Sequence, residues 1–339
     1  MSIHFGGFNL DGETDAYGFE KPDDFDEAKY EQFVQEYLPI LSRRNQRWEN
    51  FMRETGPKSE LPDDFLGRRK LKRFVRKGIP TTWRAKIWMI LSGAQDRYVQ
   101  FPGEYKHLSK QTPPEDVANA IELDLKRTFP DNVYFQNMPG SLVDELKIIL
   151  TAFANKNPHI GYCQGLNYLA GMMLLILKDA EHTFWLLHTI ISQLPNYYSS
   201  SMEGIVTDMA VLNELIRTKA PDLHSHFDRL AFDPAMLITK WFVCWYLETL
   251  PVETVLRIWD CMFSEGSKIL FRVGLTLLIR HKERFLASTS LASIMDTFKL
   301  LSTDNYVLEC HKFIQDLFTL PGSLPQKLID DLRKKHSSN

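Results

Sequence analysis

The chain has 339 residues, of which 44% are hydrophobic and 24% charged, a composition typical of a soluble globular protein with a substantial core. The formal net charge of −3 argues against a surface built to neutralise phosphates, so no nucleic-acid partner is expected. The four cysteines lie far apart and form no Cys-x-x-Cys pair. They therefore indicate neither a zinc site nor a disulfide framework, and a reducing cytosol fits best.

Residues 1–30 carry many more carboxylates than lysines, with scattered aromatics and glycines. This composition predicts a flexible acidic arm. It lacks both the basic region and the long apolar run of a secretory signal. Residues 31–69 are predicted to form a helical lead-in and a loop, because apolar residues recur at helical spacing from Tyr30 to Leu38. Pro39 is expected to end or kink the lead-in helix close to Leu38.

A basic stretch follows at residues 68–77, where most positions are Lys or Arg. Leu71, Phe74 and Val75 fall on one helix face, so the simplest interpretation is a helix whose other face is basic and solvated. A patch for anionic membrane or nucleic acid is a sharper alternative. A third is a surface that pairs with the acidic arm or with an acidic partner. All three remain open at the level of the sequence.

Gly78-Ile79-Pro80 predicts a turn, and the helix after it should run to about Ser92. Arg84 and Trp88 are four residues apart on this helix, where the stem of the arginine can cover the indole. Arg84 is therefore interpreted as a structural residue.

The next predicted helix begins near Thr112 and leads to a candidate site. Its apolar face is formed by Val117, Ile121 and Leu125. Asp124 and Arg127 lie on another side, three residues apart, so the carboxylate can hold the guanidinium. Pro130 disfavours helical backbone at the preceding residue, which should end the helix close to Arg127. From the residues alone, a surface ion pair explains this pattern better than a functional arginine does.

A second candidate segment is Gly161-Tyr162-Cys163-Gln164-Gly165, after a predicted helix from about Leu142 to Ala154. The flanking glycines leave the amide of Gln164 uncrowded, and an amide can donate to one oxygen while accepting from a water. The alternative is a glutamine that caps backbone. Cys163 is interpreted as a small hydrophobe, because no third residue orients it and His159 as a catalytic pair. The apolar run that ends at Leu177 is predicted to be a core helix.

The rest of the chain reads as one helix after another, without strand alternation. No Gly-x-x-x-x-Gly-Lys-Ser/Thr loop occurs, so the chain is not itself a GTPase of that kind. Residues 251–263 have the apolar spacing of an amphipathic helix that includes Leu256-Arg257-Ile258-Trp259-Asp260. Residues 331–339 are predicted to be a polar tail, which is expected to fray from Lys334 onward.

Four blocks together resemble the TBC-domain family, whose members accelerate GTP hydrolysis by Rab GTPases. The blocks are Ile121-x-x-Asp124-x-x-Arg127-Thr128-x-Pro130, Tyr162-Cys163-Gln164-Gly165, the Gly78-Ile79-Pro80 turn with Arg84-x-x-x-Trp88, and Leu256 to Asp260 closed by Glu265-Gly266. The resemblance covers about residues 70–290 and implies an all-α fold. The expected architecture is one multi-helix domain, with helical extensions at both ends and C-terminal helices at residues 291–330 packed on the core.

The resemblance also implies a function. Arg127 would be an arginine finger, inserted in trans beside the phosphoryl group, and Gln164 would orient the attacking water. Supporting residues are expected at Asp124, Thr128, Tyr162 and Gly165. The protein would be an activator and not itself an enzyme, with no cofactor of its own because Mg²⁺ and GTP are carried by a GTP-bound Rab partner. It would act in vesicle trafficking from the cytoplasm, peripheral on endomembranes through the Rab. The alternatives are a non-catalytic Rab-binding protein and a basic-patch membrane adaptor.

Overall fold

A computed structural model of the chain describes residues 13–21, 27–54, 69–136, 140–194, 196–301 and 304–337. Every regular element within these ranges is a helix, and the only strand-like pairing among them is two isolated β-bridges. The predicted all-α fold class is confirmed. The chain forms two compact units, residues 1–190 and 191–339.

The first unit contains eight helices among its described residues, and a ninth crosses its boundary. They are α1 (Glu27–Glu54), α2 (Arg69–Lys77), α3 (Thr81–Ser92), α4 (Ala94–Gln100), α5 (Glu104–Leu108), α6 (Glu115–Leu125), α7 (Leu142–Lys156), α8 (Leu166–Leu177) and α9 (Ala180–Ser192). α8 is buried along almost its whole length and contacts α3, α6 and α7. This agrees with the prediction of a core helix ending at Leu177. Within the described ranges, no helix is long and apolar enough to cross a membrane.

The lead-in helix does not end at Pro39, which was one of the two outcomes expected there. α1 runs through Pro39 to Glu54 without ending. A proline removes one helical hydrogen bond but can be tolerated when the helix is held from outside. Here the second half of α1 is held by Trp48, which is buried and donates to the carbonyl of Gly78 at 3.0 Å. The loop predicted within residues 31–69 lies outside the described residues.

The flexible-arm prediction for residues 1–30 is wrong for residues 13–21, which form a small hairpin. Asp15 Oδ1 accepts the backbone amides of Tyr17 and Phe19 at 2.8 and 3.0 Å. A β-bridge joins Thr14 to Glu20, and Tyr17 is buried. An aspartate that caps its own turn and an aromatic side chain that finds a core site offset the acidic composition. The rest of the arm before Glu27 lies outside the described residues.

The second unit contains ten helices among its described residues. They are α10 (Glu203–Lys219), α11 (Pro221–Arg229), α12 (Ala235–Val243), α13 (Val252–Glu265), α14 (Lys268–Arg280), α15 (Lys282–Ala287), α16 (Leu291–Leu300), α17 (Asn305–Leu308), α18 (Cys310–Leu317) and α19 (Gln326–Ser337). The amphipathic helix predicted at residues 251–263 is confirmed as α13, and its Trp259 packs edge-on against Trp245 at 5.3 Å.

The C-terminal tail is predicted to fray from Lys334 onward, and this prediction is wrong as far as Ser337. Arg333 binds the buried carboxylate of Asp208 through Nε and Nη2, each at 2.7 Å. Lys335 and His336 bind Glu214 at 2.8 and 2.7 Å. Charged side chains therefore anchor α19 to α10, a contact between residues far apart in the chain.

Candidate functional site

The arginine of the candidate site lies just beyond the end of a helix. α6 ends at Leu125, and the amide of Arg127 donates to the carbonyl of Asp124 at 3.2 Å. The hydroxyl of Thr128 donates to the same carbonyl at 2.7 Å. Phe129 then adopts a left-handed φ of 50°, which costs a non-glycine residue on the order of 1–3 kcal/mol. The predicted helix end close to Arg127 is confirmed.

Asp124 is a buried carboxylate that binds two side chains at once. Its Oδ1 accepts from Nε of Arg127 at 2.8 Å and lies 2.5 Å from Nη2. Its Oδ2 accepts from the hydroxyl of Tyr162 at 2.5 Å. The predicted contact between Asp124 and Arg127 is therefore present. The contact with Tyr162, 38 residues further on, brings the two sequence motifs together.

Arg127 keeps half of its side chain in solvent, whereas only 6% of the Asp124 side chain is exposed. Among the described residues, none accepts a hydrogen bond from Nη1 of Arg127. The hydrogen bond to Asp124, reinforced by its negative charge, raises the pKa of Arg127 above its ordinary value. The guanidinium is thus anchored on one edge and cationic, and it can still donate to an oxygen of another molecule.

Gln164 occupies the residue just before the N-cap of α8. Its side chain is exposed, and no group in the described ranges bonds its carboxamide. The next residue, Gly165, caps α8 with a φ of 105°, a backbone conformation that favours glycine. The amide of Gly165 donates to Oδ1 of Asn167 at 3.1 Å. Gln164 is therefore held by a fixed turn while its amide remains available.

A second hydrogen bond joins the two motifs, through a residue that follows Gln164 in the sequence. Nδ2 of Asn167 donates to the hydroxyl of Thr128 at 2.8 Å, and both residues are buried. Asn167 thus bonds Thr128 and Gly165, the residues that follow Arg127 and Gln164. The sequence analysis missed Asn167, although a single amide near the start of an otherwise apolar helix is a usable signal. A buried amide must find hydrogen-bond partners.

The ring of Phe129 fills the space between the residues after Arg127 and α8. It contacts the rings of Phe135 and Tyr168 at centroid distances of 5.4 and 5.6 Å. A Cβ on Gly171 would lie 2.9 Å from a ring carbon of Phe129. The absence of a side chain at this helical position therefore permits the close approach.

The site offers charge and an amide, without a group suited to proton transfer near neutral pH. Burial, followed by the hydrogen bond to Asp124, raises the pKa of the Tyr162 hydroxyl. Burial also raises the pKa of the half-buried Cys163 thiol, so it stays protonated and a poor nucleophile. Among the described residues, no three His, Cys, Asp or Glu side chains could hold a metal ion. The arrangement can stabilise developing negative charge and orient a water.

The basic stretch forms part of a surface shared by α1 and α2, which we call the basic surface: Arg47, Arg73 and Lys77. These three side chains are exposed, and no described carboxylate pairs with them. Desolvation, followed by the positive charges of Arg73, Arg47 and Arg44, lowers the pKa of Lys77. By contrast, Lys70 at the other end of α2 pairs with Glu54 at 2.7 Å. Cations from two helices are therefore concentrated at one end of this pair.

The chain is similar to proteins with a shared description. The family model described as Rab-GTPase-TBC domain matches residues 81–286. Growth hormone-regulated TBC protein 1 from Homo sapiens is 44% identical over 323 residues, which is 94% of this chain and 94% of the relative. GTPase-activating protein GYP3 from Saccharomyces cerevisiae is 33% identical, over 78% of this chain and 49% of that protein.

A solved structure gives the same result at the level of the fold. The crystal structure of the Chlamydomonas flagellar RabGAP TBC domain superposes with a TM-score of 0.75 at 30% identity. The superposition covers 91% of this chain and 99% of that domain.

Proposed function

The chain belongs to the Rab-GTPase-TBC domain family, and from this premise we propose that it accelerates GTP hydrolysis by a Rab GTPase through Arg127 and Gln164. The partner is a GTP-bound Rab, which brings the nucleotide and Mg²⁺. The chain supplies side chains in trans and carries out no chemistry on a substrate of its own. Its proposed cellular role is to end the GTP-bound state of a Rab in vesicle trafficking.

Arg127 is proposed to be the arginine finger. In phosphoryl transfer, negative charge spreads over the oxygens of the transferring group, and a cation placed there stabilises the transition state more than the ground state. A planar guanidinium can approach with one edge while the opposite edge stays bound to Asp124. An arginine finger contributes roughly 10³ to 10⁵ in rate, or about 4–7 kcal/mol of activation free energy.

Gln164 is proposed to orient the attacking water. Its carboxamide can accept from the water and donate to a phosphate oxygen at the same time. The position suits this role because the fixed turn before α8 limits the places the amide can reach. Gln164 and Arg127 would then act on opposite parts of one reaction, the attacking oxygen and the developing charge.

The observation that carries the proposal is the shared carboxylate of Asp124. By binding Arg127 and Tyr162 together, it connects the segment that carries the exposed cation to the segment that carries the exposed amide of Gln164. A surface ion pair alone would need neither the tyrosine nor the second connection from Thr128 to Asn167.

The proposal is tested by single-turnover GTP hydrolysis on a panel of purified Rabs. Wild type is compared with Arg127→Ala, Gln164→Ala and the matched control Lys126→Ala, which removes an exposed cation next to Arg127. At least one Rab should be accelerated by wild type and by the control, and neither finger variant should retain that rate. If the Rab hydrolyses GTP as fast with both finger variants as with wild type, the proposed roles are wrong.

The same experiment separates the non-catalytic alternative. A protein that only binds a GTP-loaded Rab would show saturable binding and no acceleration with any Rab of the panel. Binding measured by fluorescence anisotropy beside each rate distinguishes the two outcomes, because a finger variant that loses rate should still bind.

A second candidate role is docking on membranes from the cytoplasm, which the basic surface favours. Each exposed Lys or Arg near an anionic leaflet contributes about 1 kcal/mol of attraction. Sedimentation with phosphatidylcholine vesicles, with and without phosphatidylserine, tests this role. The triple variant Arg47→Ala, Arg73→Ala, Lys77→Ala should lose the binding that depends on phosphatidylserine and keep its activity on a soluble Rab. Equal sedimentation of wild type and variant would exclude the basic surface as the contact.

A further inference from the structure

The small hairpin at residues 13–21 has a specific place in the first unit. It lies against the segment that directly follows the proposed arginine finger, residues 129–135, which we call the arginine loop. The hairpin is outside the residues matched by the family model, which begin at position 81. Its contacts are therefore a feature of this chain that the family assignment does not describe.

Backbone hydrogen bonds join the hairpin to the arginine loop. The amide of Glu20 donates to the carbonyl of Asp131 at 2.8 Å, and the amide of Val133 donates to the carbonyl of Gly18 at 2.9 Å. Nδ2 of the fully buried Asn132 donates to the carbonyl of Tyr17 at 3.0 Å. Three bonds within a few residues fix the position of the loop relative to the hairpin.

The hairpin is itself fixed to the core of this unit. Nη1 of Arg84, buried on α3, donates to the hydroxyl of Tyr17 at 3.0 Å. Arg84 belongs to the block that begins with Gly78-Ile79-Pro80, and its interpretation from the sequence is that of a structural residue. A rigid helix therefore supports the hairpin, and the hairpin supports the loop.

The hairpin also supports the strained residue of the loop. The ring of Phe19 packs edge-on against the ring of Phe129 at 5.2 Å, with an angle of 84° between the planes. Phe129 has the left-handed backbone and is two residues after Arg127. A strained backbone persists only where its surroundings hold it. Phe19 thus adds a contact from the hairpin to a ring that also packs on Phe135 and on Tyr168 of α8.

We infer that the hairpin of residues 13–21 is a positioning element for the arginine finger, acting through Phe19 and Phe129. The inference rests on the proposed function of Arg127. Without Phe19, the arginine loop would sample other conformations, and Arg127 would be correctly placed in fewer of the Rab complexes. The effect should fall on the maximal rate, because a displacement of about 1 Å can cost on the order of 10² in rate.

The test uses Phe19→Ala in the full chain. The maximal accelerated rate at saturating protein should fall roughly ten- to hundredfold, with little change in the concentration that gives half the maximal rate. Phe19→Leu, which keeps an apolar side chain, should restore most of the rate. Phe101→Ala is the matched control, because Phe101 is a partly exposed ring that stacks on Trp185. A maximal rate equal to wild type, or an equal loss in the control, would overturn the inference.

Hydrogen exchange provides a readout that needs no Rab. The amide of Val133 is bonded to the hairpin, so a peptide spanning the arginine loop should exchange faster in Phe19→Ala than in wild type, at equal melting temperature. Unchanged exchange there would overturn the inference even if no Rab were accelerated. A wild type inactive on every Rab, with the expected exchange, would instead reject the proposed function and leave the hairpin as a support of the loop.

Discussion

Two arginine–aspartate pairs, one in each unit, are built from the same parts and have different exposures. In both, a buried aspartate accepts a tyrosine hydroxyl in addition to the arginine: Tyr162 bonds Asp124, and Tyr197 bonds Asp208. The arginine of the first pair is 50% exposed and that of the second 24%. The sequence separations also differ: the partners are three positions apart in the first pair and 125 positions apart in the second.

The difference lies in how the guanidinium is used. Arg333 places Nε and Nη2 on different oxygens of Asp208, each at 2.7 Å. Arg127 places both nitrogens on a single oxygen of Asp124 and leaves the other oxygen to Tyr162. In the Asp208 pair, the arginine bonds both carboxylate oxygens and joins α19 to α10. In the Asp124 pair, the arginine is held at the surface, and part of its donor set remains available to another molecule. An ion pair can therefore stabilise the fold or hold a side chain ready for a partner, depending on which hydrogen-bond donors remain available.

The largest effect is expected for Arg127→Ala. The accelerated rate of GTP hydrolysis should fall by roughly 10³ to 10⁵, and the urea midpoint should fall less than in Arg333→Ala, because half of the Arg127 side chain is already in solvent. Arg127→Lys should also lose most of the rate, because lysine lacks the planar fork. Single-turnover hydrolysis and urea unfolding measure the two effects. A variant that loses stability but keeps its rate would make Arg127 a structural residue.

Arg333→Ala should give the opposite result. Removing one partner of a buried pair costs about 3–5 kcal/mol, because Asp208 would stay in the interior with only the tyrosine as partner. Burial already raises the pKa of Asp208, and the hydrogen bonds from Arg333 oppose that rise. Urea unfolding should show the loss, while the accelerated rate per folded molecule stays at the wild-type value. A loss of rate without a loss of stability would contradict the assignment of this pair.

Gln164→Ala should lower the accelerated rate by roughly 10² to 10³, the cost of one missing donor at a developing oxyanion. Stability should stay within about 0.5 kcal/mol of wild type, since the side chain is exposed. Gln164→Glu should not restore the rate, because a carboxylate cannot donate and would repel phosphate. His159→Ala, an exposed neighbour, serves as the control. If Gln164→Ala were as active as its control, the water-orienting role would be rejected.

The smallest expected effect concerns Glu214, which binds the end of α19. Hydrogen bonds from Lys335 and His336 lower the pKa of Glu214 below its usual 4.5. A lowered carboxyl pKa stabilises the fold above the unfolded value, and this stabilisation is lost as the pH falls through the folded value. Glu214→Gln should therefore be less stable than wild type near neutral pH, by under about 1 kcal/mol. Its melting temperature should be slightly lower. The difference should disappear in acid. A constant difference from pH 7 to acid would contradict this linkage.

The sequence predicts what depends on neighbouring residues. The pairing of Asp124 with Arg127 and the helix end near Pro130 follow from helical geometry within one turn. The amphipathic α13 follows from the spacing of its apolar residues. The proposed joint role of Arg127 and Gln164 comes from the resemblance to a family. The residues alone leave this role as one of two interpretations.

The sequence does not predict what depends on distant contacts. Tyr162 finds Asp124 and Asn167 finds Thr128 only after the helices are packed. The acidic composition of residues 13–21 predicts an arm, because nothing local shows that Asn132 and Phe129 will receive it. Local rules therefore gave the elements, and tertiary contacts decided where polar ends and turns became ordered.

Gly171 gives the protein a natural point of gradual attenuation. A methyl group there would press on the Phe129 ring from α8 without removing a charge or a hydrogen bond. Alleles with Ala, Ser or Val at this position should form a graded series, in which the proposed acceleration of GTP hydrolysis declines with side-chain volume while Arg127 and Gln164 stay unchanged. Such a series would let cell biologists lower the signal stepwise instead of abolishing it.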